Sequence, residues 1–318
     1  MDRLLVVALG GNAFARKGEG LSSQWRSVRI AAEAVAGLVE KGYRVVVTHG
    51  NGPQVGALLE WMYRASRSPG EPLSMDVAVA MTQGWLGYML QQAIGNALEE
   101  RGRPRRVAAL VTQVLVSRSD PAFREPSKPI GPYYARDEAE RLARETGWVF
   151  RPDPRGGYRR VVPSPRPASV VELEAVRTLL EAGYVVIAAG GGGVPVVRSR
   201  AWLHGVEAVV DKDYASSLLA QALGAQALLI LTDVPYVYRN YGRPGQKPLE
   251  RLTASEARRL LEEGEFPPGS MGPKVEAAVE FVEARARAGC MDCYAAIGRL
   301  EDAALVAEGE RGTRILPG

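Results

Sequence analysis

Short unbroken apolar runs alternate with helical stretches along most of this chain, and several of the runs empty into glycine. Leu4 to Leu9 is the first, ending at Gly10-Gly11. A run with no polar alternation suits a strand buried on both faces, the condition of a parallel sheet covered by helices. Ser27 to Glu40 then carries helical spacing through Val28, Ala31, Ala32, Val35, Leu38 and Val39, and stops at Lys41-Gly42. Tyr43 to Val47 reads as a second buried strand, followed by the turn His49-Gly50-Asn51-Gly52-Pro53 and a helix over Gln54 to Tyr63. Repeated β-α-β units imply right-handed crossovers, so the expected fold class is α/β with a mostly parallel core.

A long helix is expected over Asp76 to Arg101, and the glycines inside it (Gly84, Gly87, Gly95) suggest close packing against another helix. After a strand at Arg106 to Val111 the rhythm breaks. Arg118 to Ala168 holds nine of the 21 prolines, yet it also contains a helical piece, Ala135 to Arg144, and a β-like piece, Tyr158 to Val162. That mixture reads as a small inserted subdomain rather than a linker. The rhythm resumes with a helix at Val170 to Glu181 and a strand at Tyr184 to Ala189 that runs into Gly190 to Gly193. A second α/β half begins near His204, giving expected divisions of 1–203 and 204–318 with 118–168 as the insert. It should contain a strand at Ala208 to Val210, a helix at Tyr214 to Leu223, and a strand at Ala227 to Leu231 ending in Thr232-Asp233. Helices at Ser255 to Glu263 and Pro273 to Arg287 follow, then a final strand, Cys293 to Ile297, and a short helix.

The chain has 318 residues, enough for two domains or one large α/β unit. A net charge of +4, with no basic run interleaved with aromatics, argues against a nucleic-acid surface. No apolar stretch reaches membrane-span length, and the N-terminus moves directly into a strand, so a membrane role and a signal peptide are not expected and a cytoplasmic location is. Cys290-Met291-Asp292-Cys293 has redox or half-zinc spacing, but no second pair completes a metal site, and buried structural thiols are expected. No P-loop or dinucleotide fingerprint is present, which counts against a nicotinamide-dependent dehydrogenase. With two histidines there is no Ser-His-Asp or Cys-His set, and His49 reads as an anchor for its glycine turn.

Among the basic residues lysine is scarce. Of 40 basic residues only six are lysine. Lys17, Lys41 and Lys247 sit in ordinary loop, helix-end and turn positions. Lys128, Lys212 and Lys274 lie in Ser127-Lys128-Pro129-Ile130-Gly131-Pro132, Asp211-Lys212-Asp213 and Met271-Gly272-Pro273-Lys274. A compact ammonium on a flexible stem suits a moving phosphoryl group better than a planar guanidinium does. In Asp211-Lys212-Asp213 the two carboxylates could hold the lysine in one rotamer, or Asp213 could cap the following helix with Lys212 exposed. Lys274 lies in the first turn of a helix, against the dipole, which makes sense if an anion binds beside it. Three glycine clusters after apolar strands, at Gly10-Gly11-Asn12, Gly50-Asn51-Gly52 and Gly190 to Gly193, also favour an anion site built from main-chain N–H groups.

These segments together resemble the carbamate kinases of the amino-acid kinase superfamily. The likeness runs through Ala8 to Ala13, Thr48 to Gly56, Lys128 to Tyr133, Ala189 to Val196, Val210 to Asp213, Leu231 to Val234 and Gly269 to Lys274. The Lys128 segment within a protruding insert is its most specific element. The resemblance implies an open αβα sandwich with two lobes and a small protruding subdomain. The N-terminal lobe would bind the phosphoryl acceptor and form a homodimer, and the C-terminal lobe would bind ATP or ADP with Mg2+. The implied reaction interconverts ATP plus carbamate with ADP plus carbamoyl phosphate. The implied catalytic residues are Lys128, Lys212, Lys274 and Asp211. Gly10, Gly11, Asn12, Gly50, Asn51 and Gly52 would line the acceptor site. Lys212, Asp213, Asp233, Tyr238, Met271 and Lys274 would contact the nucleotide, and magnesium would be held through its phosphates. A related kinase for acetylglutamate or a nucleoside monophosphate is the alternative, but a larger acceptor should need an arginine clamp that the sequence does not display.

Overall fold

The computed structural model describes residues 3–10, 21–65, 73–104, 106–153, 156–267 and 269–318. Its centre is an eight-stranded sheet ordered Arg251–Thr253, Thr313–Leu316, Tyr294–Arg299, Ala227–Thr232, Leu4–Leu9, Arg44–His49, Val185–Ile187, Val107–Ala109. Every neighbouring pair is parallel except Tyr294–Arg299 with Thr313–Leu316.

Alternation along the central strand divides the core into two layers. Leu4, Val6 and Ala8 pack with the helices Leu173–Glu181, Lys212–Leu223, Ala254–Glu262 and Met271–Arg287. Leu5, Val7 and Leu9 pack with Leu21–Glu40, Met75–Glu100 and Ala303–Glu308. Each fully buried Leu or Val there contributes about 1.5–3 kcal/mol relative to exposure. The expected αβα sandwich is therefore present. Chain order reverses at Leu4–Leu9, which has Arg44–His49 on one side and Ala227–Thr232 on the other. Ligands of open α/β sheets bind beyond the strand ends at such a reversal.

The insert is an antiparallel sheet of Lys128–Tyr134, Tyr158–Val162 and Val149–Pro152 with the helix Arg136–Thr146. Tyr134, Ala139 and Leu142 form its small core, shared with Tyr63 of the helix Gly52–Ala65. Residue 168 already lies in Pro167–Val170, a strand of a separate four-stranded sheet with Trp202–Gly205, Val194–Ser199 and Gln113–Val116. Residue 203 falls inside the hairpin of Val194–Ser199 with Trp202–Gly205.

Several expectations need correction. Ala208 to Val210 is not a strand: it is buried, but the Val209 N–H goes to the Pro163 carbonyl (3.0 Å), not to a sheet neighbour. The last element is the strand Thr313–Leu316 and not a helix. Gly309 and Gly312, with φ near +81°, turn the chain back, and four residues are too few to carry a periodic signal. Gly87 packs on a strand residue, the Ala109 Cβ, whereas a Cβ built at Gly84 or Gly95 would meet nothing within 4 Å. Cys290 and Cys293 are not free thiols but a disulfide, with Cα atoms 5.5 Å apart across the turn that follows Gly289.

Candidate active site

Asp211, not Asp213, caps the helix Lys212–Leu223: its Oδ1 accepts from the Asp213 N–H at 3.0 Å. The helix begins two residues earlier than its apolar spacing suggests, and this places Asp213 in the first turn with its carboxylate free for other work. Lys212 Nζ donates to Asp213 Oδ1 at 2.5 Å, and Lys274 Nζ donates to Asp213 Oδ2 at 2.9 Å. Lys128 Nζ, from the first strand of the insert, donates to the remaining oxygen of Asp211. The three lysines singled out by sequence therefore meet along one Asp-Lys-Asp tripeptide.

Asp211, Lys212 and Asp213 are all buried, so each charge must be matched. Burial would raise the Asp213 carboxyl, but the Lys212 and Lys274 ammoniums outweigh it and hold it well below the usual carboxylate range. Burial pushes Lys212 below the usual lysine range, against the pull of Asp213. Lys274 ends above that range, because Asp213 overcomes the effect of burial. Lys41, by contrast, makes a surface ion pair with Glu308, and Lys247 is exposed on a hairpin.

The glycine turns meet beside this cluster. The Gly10 N–H donates to the Leu231 carbonyl (3.0 Å) and the Gly50 N–H to the Leu9 carbonyl (3.2 Å), so both turns are tied to strand ends. Asn51 Nδ2 donates to Thr82 Oγ1 at 2.7 Å. His49 is buried, with Nδ1 3.2 Å from the Gly50 carbonyl, and burial pushes its pKa down to about 4. It is neutral at pH 7 and anchors its turn. Gly52 opens the helix Gly52–Ala65 near the Pro129 carbonyl of the insert. Gly11 and Asn12, with Lys17, lie outside the described residues.

Gly190 to Gly193 wedge between the 49–51 turn and the 210–213 segment. A Cβ at Gly190 would stand 2.4 Å from His49 Nε2, at Gly191 2.0 Å from Asn51 Nδ2, and at Gly192 2.2 Å from the Val210 carbonyl oxygen. Their absence of side chains is thus explained by close approach as well as by positive φ at three of the four. Gln83 fixes this loop by donating to the Gly190 carbonyl (2.9 Å) and accepting from the Thr112 N–H (2.7 Å). Thr82, Gln83 and Thr112 escaped the sequence reading. The available signal was the pair Thr82-Gln83 inside a helix otherwise almost wholly apolar from 77 to 90.

On the C-terminal side, Asp233 is exposed at the end of Ala227–Thr232 and accepts from Thr232 Oγ1 at 3.0 Å. Its charge is among those that raise Lys274. Met271 opens the helix that carries Lys274, and Tyr238 lies in a tyrosine trio with Tyr236 and Tyr241, ring centroids 6.4 and 5.8 Å away.

Residues 3–290 match the model of the amino acid kinase family. The chain belongs to the amino acid kinase family. Within it the chain is similar to carbamate kinases. The carbamate kinase of Pyrococcus furiosus is 46% identical over 320 residues, covering 100% of both chains, and that of Thermococcus kodakarensis is 47% identical over 316 residues, covering 98% of each. The solved carbamate kinase of Giardia lamblia bound to AMP-PNP superposes with a TM-score of 0.88 at 40% identity, over 100% of this chain and 99% of that one. For an amino acid kinase, the convergence of three lysines on Asp211 and Asp213 is the chemically telling part. Among the described residues the one cluster of metal-type donors is Cys290, Asp292 and Cys293, just past the C-terminal end of the helix whose first turn carries Lys274, and both sulfurs are bonded to each other. No described helix is long and apolar enough to cross a membrane.

Proposed function

We propose that this amino acid kinase catalyses reversible phosphoryl transfer between ATP and carbamate, giving ADP and carbamoyl phosphate. The observation that carries the reading is the meeting of Lys128, Lys212 and Lys274 on the carboxylates of Asp211 and Asp213. Three ammoniums on two carboxylates leave a surplus positive charge where a phosphoryl group would move. Phosphoryl transfer needs positioning and charge stabilisation more than covalent chemistry. Carbamate is already an anion and needs no strong general base, which agrees with a buried, neutral His49.

The acceptor, being tiny, is assigned to backbone and amide donors of Gly10, Gly11, Asn12, Gly50, Asn51 and Gly52. Lys212, Asp213, Asp233, Tyr238, Met271 and Lys274 are assigned to the nucleotide; the use of ATP itself is supported by the relative solved with AMP-PNP. Asp211 and Asp213 already spend oxygens on ammoniums, so Mg2+ fits only through the nucleotide phosphates, with Asp233 as the exposed carboxylate nearby. Bound there it would neutralise phosphate charge.

In this reading 1–203 is the acceptor and dimerisation lobe, 204–318 the nucleotide lobe, and 118–168 the insert that delivers Lys128. A homodimer is supported by the helix Met75–Glu100. It has no charged residue from 77 to 98, yet Val77, Met81 and Tyr88 are exposed, and Gly84 and Gly95 face open space. The reaction is assigned to the cytoplasm, in keeping with its ATP and carbamate substrates. The Cys290–Cys293 bond fits that compartment where intracellular disulfides persist, as in hyperthermophiles.

The test is a coupled assay: purified protein with carbamoyl phosphate and MgADP should form ATP. In the reverse direction, carbamate should be preferred over acetate, acetylglutamate and UMP. Folded protein that forms no ATP from carbamoyl phosphate contradicts the proposal.

A further inference from the structure

The two helices that carry Lys212 and Lys274 also contribute to a second cluster, centred on Arg166, and the insert strand paired with that of Lys128 leads into it. Tyr214 follows Asp213 in the helix that holds Lys212. Glu276 and Glu280 lie on the helix that holds Lys274. Arg166 is four residues beyond Val162, which pairs with Lys128 in the insert's sheet. The Arg166 guanidinium lies 3.6 Å over the Tyr214 ring, is hydrogen-bonded to Glu276, and donates to Glu280 at 3.1 Å. The Tyr214 hydroxyl donates to the other Glu276 oxygen at 2.5 Å.

The connection from this cluster to Lys128 is stiff. Pro163, Pro165 and Pro167 alternate along the strap that leaves Val162, and each fixes its own φ. The Pro163 carbonyl accepts from the Val209 N–H at 3.0 Å, two residues before Asp211. The Arg166 N–H donates to Asp120 at 2.9 Å, which ties the return strap to the start of the insert. Fixing Arg166 therefore fixes the base of the insert against both helices of the lysine cluster.

We propose that Arg166 is a positioning residue: it sets Lys128 in register with Lys212 and Lys274, and it touches no reacting atom itself. Half-exposed ion pairs contribute little to global stability, and the Arg166 side chain is 46% exposed. Its effect should therefore be read in turnover. The inference rests on the phosphotransfer reading above.

Its experiment measures ATP formation from carbamoyl phosphate and MgADP for wild type, Arg166→Gln, Arg166→Lys and Glu276→Gln. Arg166→Gln should lower kcat about tenfold or more, leave the KM for ADP within about threefold, and shift Tm by no more than a few degrees. Arg166→Lys should recover a large part of the loss. Arg166→Gln combined with Glu276→Gln should be no slower than the slower single variant, because both break one connection. Wild type that turns over alongside an Arg166→Gln variant within twofold of it overturns the inference and leaves the function standing. So does a loss of kcat that only tracks unfolding, or two variants whose effects multiply. Wild type that makes no ATP overturns the function first.

Discussion

Lys274 Nζ and Asp213 Oδ2 stand 2.9 Å apart although 61 residues separate them in the chain. The contact joins the first turn of one helix to the first turn of another, and Lys212 occupies the second oxygen of the same carboxylate. One acidic group therefore sets the spacing of two ammoniums. A lysine in a first helical turn opposes the helix dipole. Asp213 offsets that cost and turns both ammoniums to the same side.

Asp213→Asn keeps the shape and removes the charge. It should destabilise the fold by roughly 3–5 kcal/mol, because Lys212 is left buried without its counter-ion. Turnover should fall by about a hundredfold or more. The sign with pH follows from the depressed carboxyl: its stabilisation is present above the unfolded carboxylate value and is lost as pH falls through the folded one. The gap in urea midpoint between wild type and variant should be flat from pH 8 to 5 and narrow in more acid solution. A gap that widens toward acid would count against the pairing.

His49 should stay neutral across the physiological range, since burial holds it at about 4. Its contribution to stability is full above the unfolded value near 6.5 and falls away as pH drops toward the folded one, by about 3 kcal/mol in all. An NMR titration of the His49 ring should show no protonation step between pH 5.5 and 8. A step near 6.5 would mean that the ring meets water, and would reopen the case for it as a base.

The positions of the key lysines were legible in the sequence because arginine fills nearly every other basic site, so survival of an ammonium carries information. Which carboxylate holds which lysine was not legible. Asp213 was a candidate cap because the apolar spacing of the helix starts at Tyr214, while the hydrogen bonds begin at Lys212 with Asp211 as cap. Pairings across 83 and 61 residues depend on tertiary approach, which no local pattern encodes. The parallel core was legible from runs such as Leu4 to Leu9, buried on both faces. Ala208 to Val210 misled for the same reason: it is just as buried, but its main chain bonds to the insert. The Gly190 to Gly193 run read as an anion cradle, and close contacts with His49, Asn51 and Val210 together with positive φ at Gly191 to Gly193 give glycine a packing and backbone reason there as well.

Gly56 and Gly131 mark where the insert lies on the body. A Cβ at Gly56 would stand 2.0 Å from the Gly131 Cα. Gly56→Ala should therefore push the Lys128 strand off the helix Gly52–Ala65, costing about 1–3 kcal/mol and lowering turnover. Gly37→Ala, in a helix where the new methyl meets nothing within 4 Å, should instead stabilise by roughly 0.5–1 kcal/mol. Equal thermal shifts for the two variants would contradict the packing argument.

The uncharged outer face of Met75–Glu100 predicts a dimer in solution. Light scattering should give twice the chain mass for wild type and the monomer mass for Tyr88→Arg, which puts a charge in the middle of that face. A wild-type monomer, or a variant that remains a dimer, would place the interface elsewhere or remove it.

The central claim is that Lys128 crosses from the insert to serve a phosphoryl group shared with Lys212 and Lys274. Lys128→Ala tests it most directly, with ATP formation from carbamoyl phosphate and ADP binding measured on the same preparation. The account predicts turnover reduced to background while ADP affinity stays within a few-fold of wild type. Unaltered turnover, or a loss explained wholly by weaker ADP binding, would contradict it.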